Sequence, residues 1–190
     1  NVGGGIDFGH DTLRDWLAGW ITEVTGRRAP TEEYVTAWDR LKVTAETDPE
    51  TGLPKIEHAR LDVSFIDGTG GRAYVDVAVT SAGTTRAAER AKRAATDGAA
   101  ADDMVRTKRS RYPPHKNPGG SLVPFVVEAL GRLSPDAEDL LRALAPVDKQ
   151  TRSVVFRRAK QSLSVVIQTR LADLLLSAER SRGAAAPVAA

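Results

Sequence analysis

Two stretches of alternating apolar and polar residues lie close together between positions 60 and 80. Apolar side chains occupy positions 61, 63 and 65 in the first stretch and 73, 75, 77 and 79 in the second. A period of two is typical of half-buried β-strands. Residues 67–71 include three glycines, which reach the positive φ of a tight reversal without steric cost. The pattern predicts a β-hairpin.

The register of this hairpin determines which side chains face one another. If residues 67–71 form the loop, position 66 faces position 72, and by the same count Asp62 faces Asp76. Two carboxylates placed directly opposite each other repel, so we expect a positive charge between them. A divalent cation held by Asp62 and Asp76 is the simplest candidate.

Apolar residues at helical spacing predict a helix that precedes the hairpin. Its stripe consists of Leu13, Trp16, Leu17, Trp20, Ile21 and Val24. Asp11 or Thr12 is the expected N-cap and Gly26 the expected end, after an irregular lead-in at residues 1–9. Glu23 lies beside the stripe, and we expect it in solvent rather than leaning toward the carboxylates. Residues 31–41 slightly favour a short helix, and residues 41–47 alternate like a strand.

Beyond the hairpin, residues 86–96 and 99–111 predict two helices interrupted at Asp97-Gly98. Lys108 falls on the inward stripe of the second helix, in line with Met104 and Val105. Its ammonium either extends to water along the surface or contacts the carboxylate pair. The sequence leaves both alternatives open. It also does not decide whether Lys108 or Lys92 lies nearer to the carboxylate pair.

The C-terminal half predicts one more strand and two helices. Residues 122–128 form an apolar strand that Pro124 places at a sheet edge, and Ser134-Pro135 opens a helix to about residue 145. A long helix over residues 151–177 has a predicted buried side of Val154, Val155, Ala159, Leu163, Val166, Ile167, Leu171, Leu174 and Leu175. We expect a single α+β domain over residues 10–180, with a mixed four- to five-stranded sheet flanked by helices, and a disordered tail at 181–190.

Composition narrows the class of protein. Hydrophobic content of 41% and charged content of 27% are ordinary for a globular domain. The absence of cysteine excludes disulfides, thiolate zinc sites and a cysteine nucleophile, and it is compatible with a reducing compartment. No apolar run approaches the ~18 residues of a membrane span, so no membrane partner is expected. The chain begins with Asn1 rather than methionine, which suggests a piece of a longer polypeptide.

Charge is segregated along the chain although the formal net charge is only +2. Residues 86–116 contain nine basic and four acidic side chains, a local charge of +5 that suits a polyanion. The start of the long helix is a second basic stretch. The candidate nucleic-acid-binding residues are Arg106, Arg109, Arg111, Tyr112, His115, Lys116, Arg157 and Arg158.

A series of short motifs carries a family resemblance. An aspartate on one strand is followed by a second aspartate in an apolar VDVAV strand, a Lys-x-x-Arg-Tyr helix end and a VPFVVE strand. This series resembles the restriction-like endonuclease domain of site-specific non-LTR retrotransposons, a branch of the PD-(D/E)XK nuclease superfamily. The similarity covers roughly residues 10–176.

The resemblance implies a restriction-endonuclease-like fold and a DNA-nicking activity, as in target-primed retrotransposition by reverse transcriptase-associated enzymes. It implies Asp62, Asp76 and the carbonyl of Val77 as ligands of Mg²⁺ or Mn²⁺, with Lys108 as the catalytic lysine. Ala78 stands where most of the superfamily has its lysine, Leu61 replaces the usual proline, and no zinc-knuckle cysteine is present. DNA, or alternatively RNA, is the implied partner, beside other domains of a longer polypeptide in the nucleus or another intracellular compartment.

Three interpretations remain open from the sequence. The chain is a Mg²⁺-dependent nicking nuclease, or a degenerate nuclease fold that binds nucleic acid or assembles with other components. In the third, it is a structural module whose aspartates face solvent and pair with Arg60 and Arg72. The position of the two carboxylates distinguishes the third from the others.

Overall fold

A computed structural model describes residues 7–41, 52, 54–81, 91–93, 95–117, 119–146 and 148–184. Its helices are α1 (Asp7–Thr25), α2 (Ala99–Arg111), α3 (Pro135–Leu144) and α4 (Lys149–Ala184). Its strands are β1 (Thr31–Tyr34), β2 (Arg40–Leu41), β3 (Ile56–Glu57), β4 (Arg60–Ile66), β5 (Arg72–Thr80) and β6 (Gly120–Glu128). Two single 3₁₀ turns cover Thr36–Trp38 and Pro114–Lys116. The protein is therefore a mixed α+β fold with a long C-terminal helix.

The central sheet has four strands in the order β1-β4-β5-β6. β4 pairs antiparallel with β1 on one side and with β5 on the other, whereas β5 and β6 run parallel. A parallel pair needs a crossover connection, and the segment between β5 and β6 supplies it through α2. β6 lies at the edge of the sheet, as the proline at position 124 predicted. β2 and β3 form a separate two-stranded ladder.

The sheet is covered on both faces because its strands alternate between two apolar clusters. Val63, Val75 and Phe125 pack with α1, α3 and α4 on one face. Ala78 and Val126 pack with α2 on the other. A third cluster, in which Trp38, Tyr74 and Tyr112 meet, lies at the β1 side of the α2 face. The predicted stripe of α1 is thus confirmed as core.

Residues 31–41 do not form the short helix that the sequence slightly favoured. They form β1, which pairs antiparallel with β4, followed by the turn Thr36–Trp38 and the short strand β2. Glu32 has a φ of 58°, which breaks any helical run and is unusual for a residue with a long side chain. Pairing with the open edge of β4 therefore outweighs the local helical preference.

The long C-terminal helix is confirmed, but its predicted buried side is only half right. Ala159 and Leu163 are buried against the core. Val154, Leu171, Leu174 and Leu175 are exposed. The helix packs against α1 and α3, and its last turns are left exposed. Apolar periodicity alone does not show where this packing ends.

Several predictions fall wholly or partly on residues outside the described ranges. These are residues 1–6 of the lead-in, 42–47 of the expected strand, 86–90 of the helix before α2 and 185–190 of the tail. α1 begins at Asp7, earlier than the predicted caps at Asp11 or Thr12. Within the described part of the chain, none of the helices combines the length and apolarity needed to cross a bilayer.

Candidate active site

The β4–β5 hairpin has the register that the sequence predicted. Backbone partners run from Ile66–Arg72 to Val63–Val75, and the Asp67 N–H closes the loop on the carbonyl of Gly71 at 2.8 Å. One further step along this register sets Asp62 opposite Asp76. Both side chains are buried, with residue exposures of 9% and 7%. The interpretation with solvent-facing aspartates is therefore wrong, and Arg60 and Arg72 pair instead with acids of β1.

The Asp62 carboxylate is held by two donors on a single oxygen. Its Oδ2 accepts the backbone N–H of Val77 at 2.7 Å and lies 3.1 Å from Nε2 of His10. Because a carboxylate can only accept, the His10 nitrogen is the donor. Burial acts to raise the pKa of Asp62, but these hydrogen bonds outweigh it and hold the pKa below its usual range. Asp62 therefore stays ionised inside the protein.

Asp76 has a cation as its direct partner. Lys108 Nζ lies 2.6 Å from Asp76 Oδ1, and the lysine side chain is only 13% exposed. The alternative of a solvent-directed Lys108 is therefore wrong. Lys92, the other candidate, instead faces Asp103 at 3.4 Å. Lys108 on α2 thus places its ammonium against Asp76 of β5, in agreement with its predicted position on the inward side of the helix.

The electrostatic balance at Asp76 nevertheless disfavours its charge. Burial raises the pKa of Asp76 to about 6, against the opposing effect of Lys108, while the neighbouring Asp62 carboxylate raises it further. The two buried carboxylates are contacted by the Lys108 ammonium and by the His10 imidazole, whose own pKa is raised chiefly by its hydrogen bond to Asp62. The repulsion between the two carboxylates persists beside these partners, since Asp62 is among the causes that raise the pKa of Asp76.

The missing lysine at position 78 has a packing explanation. Ala78 lies two residues after Asp76 and packs with Ala101 and Val105 of α2. A methyl group at this position allows α2 to lie close on the sheet, and Lys108, one turn after Met104 on α2, then reaches the carboxylates. A long side chain at position 78 would enter the space that α2 occupies.

An aromatic cluster supports the end of α2 beside the carboxylates. Trp38 packs on Tyr112 with ring centroids 5.6 Å apart, and its indole N–H donates to the carbonyl of Pro113 at 3.0 Å. Tyr112, predicted to bind nucleic acid, is buried here, and burial raises its pKa to about 12. The structure places its ring in the scaffold of the site.

The remaining candidate nucleic-acid residues divide between the two faces of the sheet. On the α2 side, Arg106 and Arg109 pair with Asp103 and Asp136, and Arg111 pairs with Glu57 at 2.6 Å. His115 and Lys116 are exposed beyond the helix end. Arg157 and Arg158 are exposed on α4, across the sheet. The two basic stretches therefore do not form one surface around the carboxylates.

Glu23 also lies away from the carboxylate pair, because its side chain meets Arg158 at 2.9 Å. Its expected solvent position is confirmed, with half of its side chain exposed.

His10 is the site residue that sequence reasoning missed. It stands near the start of α1, one residue before Asp11, whose carboxylate also faces its ring at 3.3 Å. In the sequence, His10 precedes the apolar stripe and lies 52 positions from Asp62. No local pattern connects the two residues, since only the packing of α1 on the sheet brings them together.

The donor set fits a cation of the magnesium type. Magnesium is bound by one or two carboxylates and keeps several waters, so Asp62 and Asp76 are enough protein ligands. Among the described residues, no group of three or more His, Cys, Asp or Glu side chains is arranged to enclose a metal. A fully protein-enclosed zinc or calcium site is thus not formed by the described part of the chain.

Comparison with known proteins adds no relative to this picture. No protein-family model matches the chain, and no curated protein matches it significantly.

Proposed function

We propose that this chain is a Mg²⁺- or Mn²⁺-dependent endonuclease domain of the PD-(D/E)XK type, which nicks DNA by phosphodiester hydrolysis. One observation carries the proposal: two buried carboxylates face each other on neighbouring strands, and a helix-borne ammonium lies 2.6 Å from one of them. A buried like-charge pair is costly for folding, and such arrangements concentrate at functional sites.

Asp62 and Asp76 would hold the cation, with the backbone carbonyl of Val77 as the further ligand that the resemblance implies. When bound, the metal would polarise a phosphate oxygen and lower the pKa of an attacking water. The repulsion between the two carboxylates supports this assignment, because a bound cation would relieve the effect of Asp62 that raises the pKa of Asp76.

The chain's own groups have separable tasks in this proposal. Asp62 is kept ionised by the Val77 N–H and His10 and so stays available as a ligand. Lys108, relieved of Asp76 when a cation binds, would orient the nucleophilic water or offset charge on a phosphate oxygen. The exposed side chains after α2, His115 and Lys116, would contact the phosphate backbone and add affinity without sequence preference.

The Asp76→Asn variant tests the proposal, because it keeps the side-chain shape and removes the charge. We expect nicking of supercoiled plasmid in Mg²⁺ to fall about 100-fold or more. Asp102→Asn, an exposed change on α2, is the matched control and should nick like the wild type. Equal nicking by Asp76→Asn and the wild type would refute the proposal.

A second candidate is a degenerate nuclease fold that binds nucleic acid without cleaving it. The Lys108–Asp76 ion pair favours it, because this pair leaves the site partly neutralised without any metal. Calorimetry separates the two candidates: no heat of Mn²⁺ binding, together with retained affinity for a DNA or RNA duplex, would support the second.

The remaining expectations belong to the same proposal. The substrate is DNA, with RNA as the alternative, and the domain acts beside other domains of a longer polypeptide, as in target-primed retrotransposition. Its location would be the nucleus or another intracellular compartment.

A further inference from the structure

His10 has two acidic neighbours and no task of its own in the proposed chemistry beyond its hydrogen bond to Asp62. Its Nε2 lies 3.1 Å from Oδ2 of Asp62, and its Nδ1 lies 3.3 Å from Oδ1 of Asp11. α1 and α2 pack on opposite faces of the sheet. His10 thus contacts Asp62 from α1, whereas Lys108 contacts Asp76 from α2.

The two oxygens of Asp62 have different surroundings. Oδ2 accepts from both His10 and the backbone N–H of Val77. A carboxylate oxygen offers about two acceptor positions, so these donors use the capacity of Oδ2. Oδ1 is then the oxygen that can bind a cation. The two hydrogen bonds to Oδ2 fix the orientation of the carboxylate.

We infer that His10 is a positioning residue: it fixes the Asp62 carboxylate so that a divalent cation binds through Oδ1. The inference rests on the proposed function, since it assumes that Asp62 is a ligand. Hydrogen-bonded partners of metal ligands orient the ligand before the metal arrives, and losing one typically weakens metal affinity 10- to 100-fold. The Val77 N–H remains as a second anchor, so we expect the lower end of that range.

Two substitutions at position 10 distinguish a side chain that can donate a hydrogen bond to Asp62 from one that is too short to do so. In His10→Gln, the amide nitrogen can occupy the place of Nε2 and donate to Asp62. In His10→Asn, the shorter side chain does not reach. His58→Asn is the matched control, because His58 also pairs with an aspartate, at 2.9 Å from Asp39, but outside the site.

Two measurements on the full chain test the inference. Calorimetric titration with Mn²⁺ gives the dissociation constant of each variant. Carbon-13 NMR of the metal-free protein gives the side-chain carboxyl signal of Asp62, assigned through its loss in Asp62→Asn. This signal reports the hydrogen bonding of the carboxylate, which a merely structural role of His10 would leave unchanged.

We expect His10→Asn to weaken Mn²⁺ binding about tenfold and to shift the Asp62 signal. His10→Gln should stay within about threefold and restore the signal, and His58→Asn should match the wild type in both. Wild-type affinity in His10→Asn would overturn the inference and leave the proposed function standing. A wild-type protein that binds no Mn²⁺ would overturn both.

Discussion

At the scale of single residues, Asp76 shows how burial and charge compete. Lys108 lies in direct contact and favours the carboxylate, yet burial and the adjacent Asp62 raise the pKa to about 6. Asp62, buried to a similar degree, has its pKa lowered because hydrogen-bond donors reach it. Two aspartates with the same sequence-derived role therefore differ through their hydrogen-bond partners, and the sequence does not contain that difference.

The raised pKa of Asp76 predicts how the stability of the metal-free protein changes with pH. An aspartate in the unfolded chain has a pKa of about 3.9. Between this value and about 6, the folded protein binds more protons than the unfolded chain, so the contribution of Asp76 to the free energy of unfolding falls as pH rises. Asp76→Asn does not titrate.

Relative to wild type, the Asp76→Asn variant should gain about 1–3 kcal/mol between pH 4 and pH 7, an order-of-magnitude figure for a pKa shift of this size. Urea unfolding in EDTA at both pH values measures the change. A difference between wild type and variant that stays constant with pH would contradict the raised pKa.

At the scale of elements, the sequence predicted the hairpin and its register. It predicted the terminal helix as well, but not which part of its apolar side is buried. Alternation in β4 and β5 and the glycines of the loop determine the register, because a slip by one residue would move Val63 and Val75 out of the core. The periodicity of α4 continues through Leu175, although α1 and α3, against which the helix packs, leave that residue exposed. A periodic stripe shows which side of a helix is apolar, whereas the neighbouring elements determine how much of it is covered.

This difference along α4 predicts two unequal leucine substitutions. Leu163 is 2% exposed and Leu175 is 61% exposed. Leu163→Ala should lower the free energy of unfolding by about 2–4 kcal/mol, because it leaves a cavity in the core. Leu175→Ala should change it by less than about 0.5 kcal/mol.

Urea unfolding of both variants, with the wild type as reference, tests this pair. Equal losses of stability would show that the end of α4 is packed in solution.

At the scale of the whole molecule, the sequence predicted the α+β class, the mixed sheet and the edge position of β6. It failed for residues 31–41, where the open edge of β4 recruits β1. It also missed His10, because that residue and Asp62 meet only through the packing of α1. Periodicity predicted that Asp62 and Asp76 face each other. It left their burial and the contact of Lys108 open, because contacts between distant elements depend on the assembled fold.

The two apolar layers share one sheet, so they should unfold together. Trp16 and Trp20 belong to the α1 side, and Trp38 belongs to the cluster at the end of α2. Fluorescence of Trp38→Phe reports the first layer, and fluorescence of the Trp16→Phe/Trp20→Phe variant reports the second. In each variant, the urea midpoint from fluorescence should coincide with the midpoint from far-UV circular dichroism. Separate midpoints within one variant would indicate that one layer melts independently.

The supply of His10 by α1 and of Lys108 by α2 has a consequence for minimal versions of the site. A peptide spanning residues 60–80 contains both aspartates but neither the imidazole nor the ammonium. In water, its carboxylates would titrate like ordinary aspartates and hold a divalent ion only weakly. If the proposed function holds, tight binding of the ion would thus require both helices in place, and any change that loosens α1 or α2 should weaken it without touching a ligand.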